Sequence, residues 1–159
     1  MGICLKKVKF RPIFQQVLKK LFYHGTIGNH PKSIFYTKED KENAKKTMKK
    51  LGIYEIRKKC FADLSGGQQQ RVLIARSLCA TNKIIILDEP TNGLDPLIAK
   101  QIYELLNDLR KKDKITILMV SHDIDRALKY ADNVIELRNG EIKRVCRPQE
   151  FTFGGKNNV

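Results

Sequence analysis

The chain has 159 residues, enough for one domain with a real core or for a piece of a larger one, and a net charge of +14. The charge is confined: residues 1–60 hold 16 Lys/Arg against 4 Asp/Glu, and the remainder is nearly balanced; a solvated basic surface is expected and nucleic acid is not. Four scattered cysteines (Cys4, Cys60, Cys79, Cys146) form no C-x-x-C pair, which argues against a zinc site or disulfide framework and fits reduced cytoplasmic thiols, and no run approaches the roughly 20 apolar residues of a membrane span.

The start, MGICLKKVKFRPIF, has no apolar run of signal-peptide length, and residues 1–24 receive no assigned structure. HGTIGNHPKSIFY (24–36) is punctuated by Gly and Pro and reads as loop. Thr37 caps a helix, with Asp40 three residues on and Ala44, Met48 and Leu51 at helical spacing before Gly52. A short polar helix is expected over 54–59. Ser65 begins the next helix, Gln68 completes a capping box, and Val72, Ala75, Leu78 and Cys79 form its buried face. KIIILD (83–88) is a β-branched run expected as a strand covered on both sides. Asp95-Pro96 starts a helix whose stripe is Ile98, Ile102, Leu105, Leu106 and Leu109. ITILMV (115–120) is a second buried strand, Asp123 caps a helix through Ala131, and Asn139-Gly140 suits a type I′ hairpin turn.

This order predicts an α/β layer with parallel strands, in which ligands bind beyond the carboxyl ends of the strands. Both strands end in polar groups: Asp88-Glu89 after one, Ser121-His122-Asp123 after the other. An aspartate there can hold Mg²⁺ beside substrate phosphates, and a glutamate can deprotonate an attacking water. Read singly, the acids could equally end a strand in a capped turn, and a lone histidine there is more often structural. LSGG is a helix start whose unpaired N–H groups favour an anion.

Taken together, the elements say more. LSGGQQQR (64–71) precedes IIILDEP, then GLDP (93–96), then VSHD (120–123). This ordered set resembles the ATP-binding subunit of ABC transporters, with its signature motif, Walker B, D-loop and switch histidine, from about Gly25 to Val145. The resemblance implies an α/β fold: the C-terminal portion of a P-loop NTPase, with a helical signature subdomain, a parallel-strand core and an incomplete sheet. It implies that Ser65, Gly66, Gly67 and Gln68 contact the γ-phosphate of ATP held by an opposite subunit. Asp88 is then the Mg²⁺ aspartate, Glu89 the catalytic base, Asp95 the aspartate signalling across the dimer, and His122 the group steadying the γ-phosphate and attacking water. Arg71 and Arg76 are expected to pack or pair. Implied cofactors are ATP and Mg²⁺. Implied partners are a second ATPase subunit and a membrane permease, at the inner face of the cell membrane and without a transmembrane segment in this chain. The wording of the motifs is most similar to zinc or manganese importers.

The chain departs from that family in its first part: no β-rich start with an aromatic for adenine, no G-x-x-x-x-G-K-[ST] loop and no Q-loop glutamine is recognisable, and GGK at 154–156 is not a P-loop. The expected division is 1–24 as a basic start foreign to the family, from a truncated or frameshifted gene; 25–80 as the helical subdomain; and 81–159 as the Walker B, D-loop and histidine part. The chain alone is expected to be inactive. Two alternatives stand beside the transport ATPase: a non-catalytic subunit completing a partner's ATP site in trans, and a soluble non-transport ABC ATPase. A sheet missing strands should expose apolar surface and an unpaired edge.

Overall fold

The computed structural model describes residues 37–81 and 83–152. They divide into two compact units, one ending at Ser121 and one beginning at His122. The basic segment and the Gly/Pro loop of the sequence reading lie outside the described residues.

In the first unit, helix α1 (Lys38–Lys50) starts at the expected capping box. Thr37 Oγ1 accepts from the Asp40 N–H at 3.1 Å, and the Asp40 carboxylate accepts from the Thr37 N–H at 2.9 Å. Ala44 and Met48 are its buried residues. No helix follows over 54–59; isolated turns close there instead, Arg57 N–H to the Tyr54 carbonyl and Lys59 N–H to the Ile56 carbonyl. Ile53 is buried, and Tyr54 and Ile56 pack against the core, so side-chain burial sets this stretch rather than helical periodicity. A 3₁₀ turn (Phe61–Asp63) leads to Ser65, the cap of α2 (Gly66–Ala80). Val72, Ala75 and Cys79 are buried as expected, with Ile74 beside them and Leu78 partly covered.

Strand β1 (Ile84–Asp88), helix α3 (Pro96–Asp113) and strand β2 (Thr116–Val120) form a β-α-β unit. The strands pair in parallel from Ile84↔Thr116 to Asp88↔Val120. Among the described residues the sheet has only these two strands. Helices α1, α2 and α3 pack in sequence, and Ile85 and Leu87 of β1 join Ile102, Leu106 and Leu109 of α3 in one core. Two long-range polar ties brace the helices: Lys50 of α1 pairs with Asp113 of α3, and Arg71 of α2 donates to the Leu51 carbonyl at 3.2 Å and to Gln101 at 3.4 Å. Arg71 therefore pairs, as expected.

The strands are not covered on both sides. β1 alternates, with Ile85 and Leu87 buried while Ile84 and Ile86 face outward. On β2, Leu118 and Val120 are exposed and lie in register with Ile86 and Asp88, so one face of the pair is apolar and open. Continuous β-branched sequence reflects what such a strand could pack against, and only one side has a partner among the described residues.

In the second unit, Asp123 caps α4 (Ile124–Leu128), accepting from the Arg126 N–H at 3.2 Å. The helix stops short of the expected Ala131 and closes through turns onto Arg126 and Ala127. Strands β3 (Val134–Arg138) and β4 (Glu141–Cys146) form the predicted hairpin. Asn139 and Gly140 both have positive φ, 52° and 80°, as a type I′ turn demands. No residue of this unit is buried among those described.

Candidate nucleotide site

The signature corner is built by a reciprocal cap. Ser65 Oγ accepts from the Gln68 N–H at 3.4 Å, and Gln68 Oε1 accepts from the Ser65 N–H at 3.2 Å. Gln69 adds a second tie, donating from Nε2 to the carbonyls of Phe61 and Leu64 at 3.2 and 3.1 Å. The amide of Gln69 is taken by the Ser65 carbonyl. The amides of Gly66 and Gly67, at the first two helical positions, are the donors that the helix itself cannot satisfy. Ser65 uses an oxygen lone pair as cap and keeps its O–H to donate. Ser65 and Gly66 are exposed. The corner thus offers one hydroxyl and two amides at the positive end of a 15-residue helix, which suits a phosphate oxygen.

The two glycines have a second role that the sequence reading did not contain. A Cβ on Gly66 would lie 2.8 Å from Leu94 Cδ2, and one on Gly67 would lie 2.5 Å from Ile98 Cγ2. The start of α2 therefore rests directly on the start of α3. Asp95 lies between those contacts in sequence, caps α3 by accepting from the Leu97 N–H at 2.8 Å, and is followed by Pro96 at the first helical position. The structure thus brings Ser65, Gly66, Gly67 and Gln68 together with the helix start that carries Asp95.

Asp88 ends β1 with an exposed side chain, and among the described residues no side chain pairs with its carboxylate. Glu89 follows at φ 51°, in the left-handed region that a non-glycine residue occupies only at a cost of about 1–2 kcal/mol. Its N–H reaches across to the Val120 carbonyl at 3.0 Å, and its own carbonyl accepts from Asn92 at 3.1 Å. The sheet thereby holds the backbone of Glu89 while the chain turns away into Pro90, which is buried. His122, the first residue of the second unit, is exposed and is followed by the Asp123 cap, whose carboxylate also pairs with Arg126 at 2.6 Å. No group of three or more His, Cys, Asp or Glu side chains converges among the described residues.

Solved structures similar to the chain define its class. One is an inward-facing ABC transporter assigned to the metal-chelate type (TM-score 0.81, 25% identity, 88% of this chain and 55% of that one). Another is the ADP conformation of an ATP-binding cassette of an ABC transporter (TM-score 0.73, 29% identity, 86% and 57%). The fold is that of the ABC ATPases among the P-loop NTPases, present as part of the domain. The family profile for ABC transporters matches residues 3–92, so it extends into the basic first segment, and the chain belongs to that family. Similar curated proteins are the phosphonates import ATP-binding protein PhnC of Mesoplasma florum (44% identical over 108 residues, 68% of this chain and 43% of that protein) and of Shouchella clausii (41% over 136 residues, 85% and 50%). The chain spans about half the length of the curated relatives it matches.

These relatives do not support the expectation of a zinc or manganese importer, since they are named for phosphonate import. The physical reason is that LSGGQQQR, IIILDEP and VSHD mark the family as a whole, and a motif shared across a family does not change with the cargo. Their wording therefore could not identify it.

Proposed function

We propose that the chain acts in the ATP-binding subunit of an ABC importer and that the imported substrate is a phosphonate. The observation that supports the nucleotide role is the seating of the Ser65–Gly67 helix start on Leu94–Ile98 through contacts that only glycine permits. The similarity to phosphonate import proteins supports the cargo.

In this reading the Ser65 hydroxyl and the amides of Gly66 and Gly67 bind the γ-phosphate of an ATP gripped by the P-loop of a second subunit, with Gln68 holding Ser65 in place. Asp95 belongs to the helix start that those glycines touch and signals across the same interface. Asp88 would hold Mg²⁺, which when bound supplies charge neutralisation on the β- and γ-phosphates. Glu89 orients the attacking water and takes its proton, and His122 hydrogen-bonds the terminal phosphate. The subunit works at the inner face of the cell membrane through a permease. No described helix is long and apolar enough to cross a membrane itself. The division into a helical signature part (25–80) and a Walker B part (81–159) belongs to the same proposal.

A second reading rests on the Ser65–Gly67 corner alone, which serves a neighbouring subunit's nucleotide whatever its own chain does. Here the chain contributes its signature corner to a competent partner's ATP and does not catalyse at its own carboxylates. ATP turnover by the assembled transporter, stimulated with phosphonate-loaded binding protein, tests both. Ser65→Ala is expected to cut turnover at least tenfold, and an unchanged rate would rule out the phosphate role. Glu89→Gln abolishes a comparable share if the chain catalyses and leaves the rate intact if it only completes the partner's site. Absence of phosphonate stimulation would overturn the assignment of cargo.

A further inference from the structure

The residue preceding His122 is held by a side chain that none of the motifs contains. Tyr103 lies on α3, about two turns on from the Asp95 cap. It is 1% exposed, and its hydroxyl shares a hydrogen bond of 2.9 Å with Ser121 Oγ. Ser121 stands immediately beyond the last register pair of the parallel ladder, Asp88↔Val120. The Val120 carbonyl in turn accepts the Glu89 N–H at 3.0 Å. The end of β2 is therefore pinned twice, once to the residue carrying the proposed base and once to the helix that Asp95 caps.

We infer that Tyr103 is a positioning residue: through Ser121 it fixes the backbone immediately before His122. The inference rests on the phosphate-binding role proposed for His122. A phenylalanine would fill the same buried space without a polar atom to satisfy, whereas a buried phenol hydroxyl is costly unless hydrogen-bonded. The partner it meets lies where ladder pairing between β1 and β2 has just ended, so this bond acts where the sheet no longer constrains the chain.

Amide hydrogen exchange on the full chain tests this. In Tyr103→Phe, exchange at 121–123 should quicken about five- to tenfold while Ile85–Leu87 stays unchanged. Ser121→Ala should reproduce that effect, Ser121→Thr should restore the original rate, and the double variant should be no faster than either single one. An unchanged rate at 121–123, a uniform acceleration over 84–120, or additive effects would overturn the inference. In the assembled transporter, Tyr103→Phe should lower kcat several-fold with KM for ATP unaltered. Local acceleration with an unchanged kcat would remove the link to the histidine. Turnover unaffected by His122→Ala would defeat the role given to His122, and the exchange rates would still decide whether Tyr103 positions Ser121.

Discussion

Gly66 and Gly67 show how one pair of residues can satisfy two demands. As the first residues of α2 they leave amides available to an anion, and as residues without a Cβ they let α2 touch Leu94 and Ile98. The helix start was legible from LSGGQ alone, because a capping box depends only on residues three positions apart. The steric role was not, because Ile98 is 31 positions along the chain and nothing local marks it as a neighbour. Gly67→Ala should therefore destabilise the chain by about 1–3 kcal/mol, as overpacking does, although alanine is the better helix former. Urea unfolding would measure the loss. If Gly67→Ala combined with Ile98→Ala regains none of it, the contact is not the cause.

At the level of elements, the capping boxes of α1 and α2 and the Asn139-Gly140 turn appear where the sequence put them. Each is a contact between residues no more than three positions apart. The 54–59 stretch failed as a helix because Tyr54 and Ile56 are drawn onto the core and Arg57 sits 4.0 Å from the Tyr54 ring centroid, none of which a helical repeat encodes. Between α1 and α2, burial pushes the Cys79 thiol above its ordinary value of 9.0, with a hydrogen bond involving Thr47 working the other way. The folded state thus prefers the neutral thiol more than the unfolded chain does. The stability this contributes is full below the unfolded value and is lost as pH rises through the higher folded one. The urea midpoint should fall between about pH 8 and about pH 10 more steeply for the native chain than for Cys79→Ala. Equal slopes would show that Cys79 does not titrate as its burial implies.

For the whole molecule, the feature with the largest expected effect in solution is the face of the parallel pair that is apolar and exposed among the described residues. Ile86 is 69% exposed, Leu118 45% and Val120 55%, on one side of a two-stranded sheet. A second apolar strip runs along the hairpin, where Ile135 pairs with Val145 and Leu137 with Ile142. Contiguous apolar surface of this kind drives association, so the isolated chain should self-associate. Replacing Ile86 and Leu118 together by Thr should reduce light scattering at equal concentration while leaving far-UV circular dichroism unchanged. A native chain that stays monomeric and unfolds cooperatively would contradict this.

By itself the sequence determined the parallel α/β order, the helix starts and the ordered motifs that mark the family, since all of these lie in short-range spacing. Tertiary structure alone decided which face of β1 is buried, why the signature needs two glycines, and that Tyr103 meets Ser121. Those outcomes depend on residues far apart in the chain arriving within a few ångströms of one another, and short-range spacing carries no record of such distances.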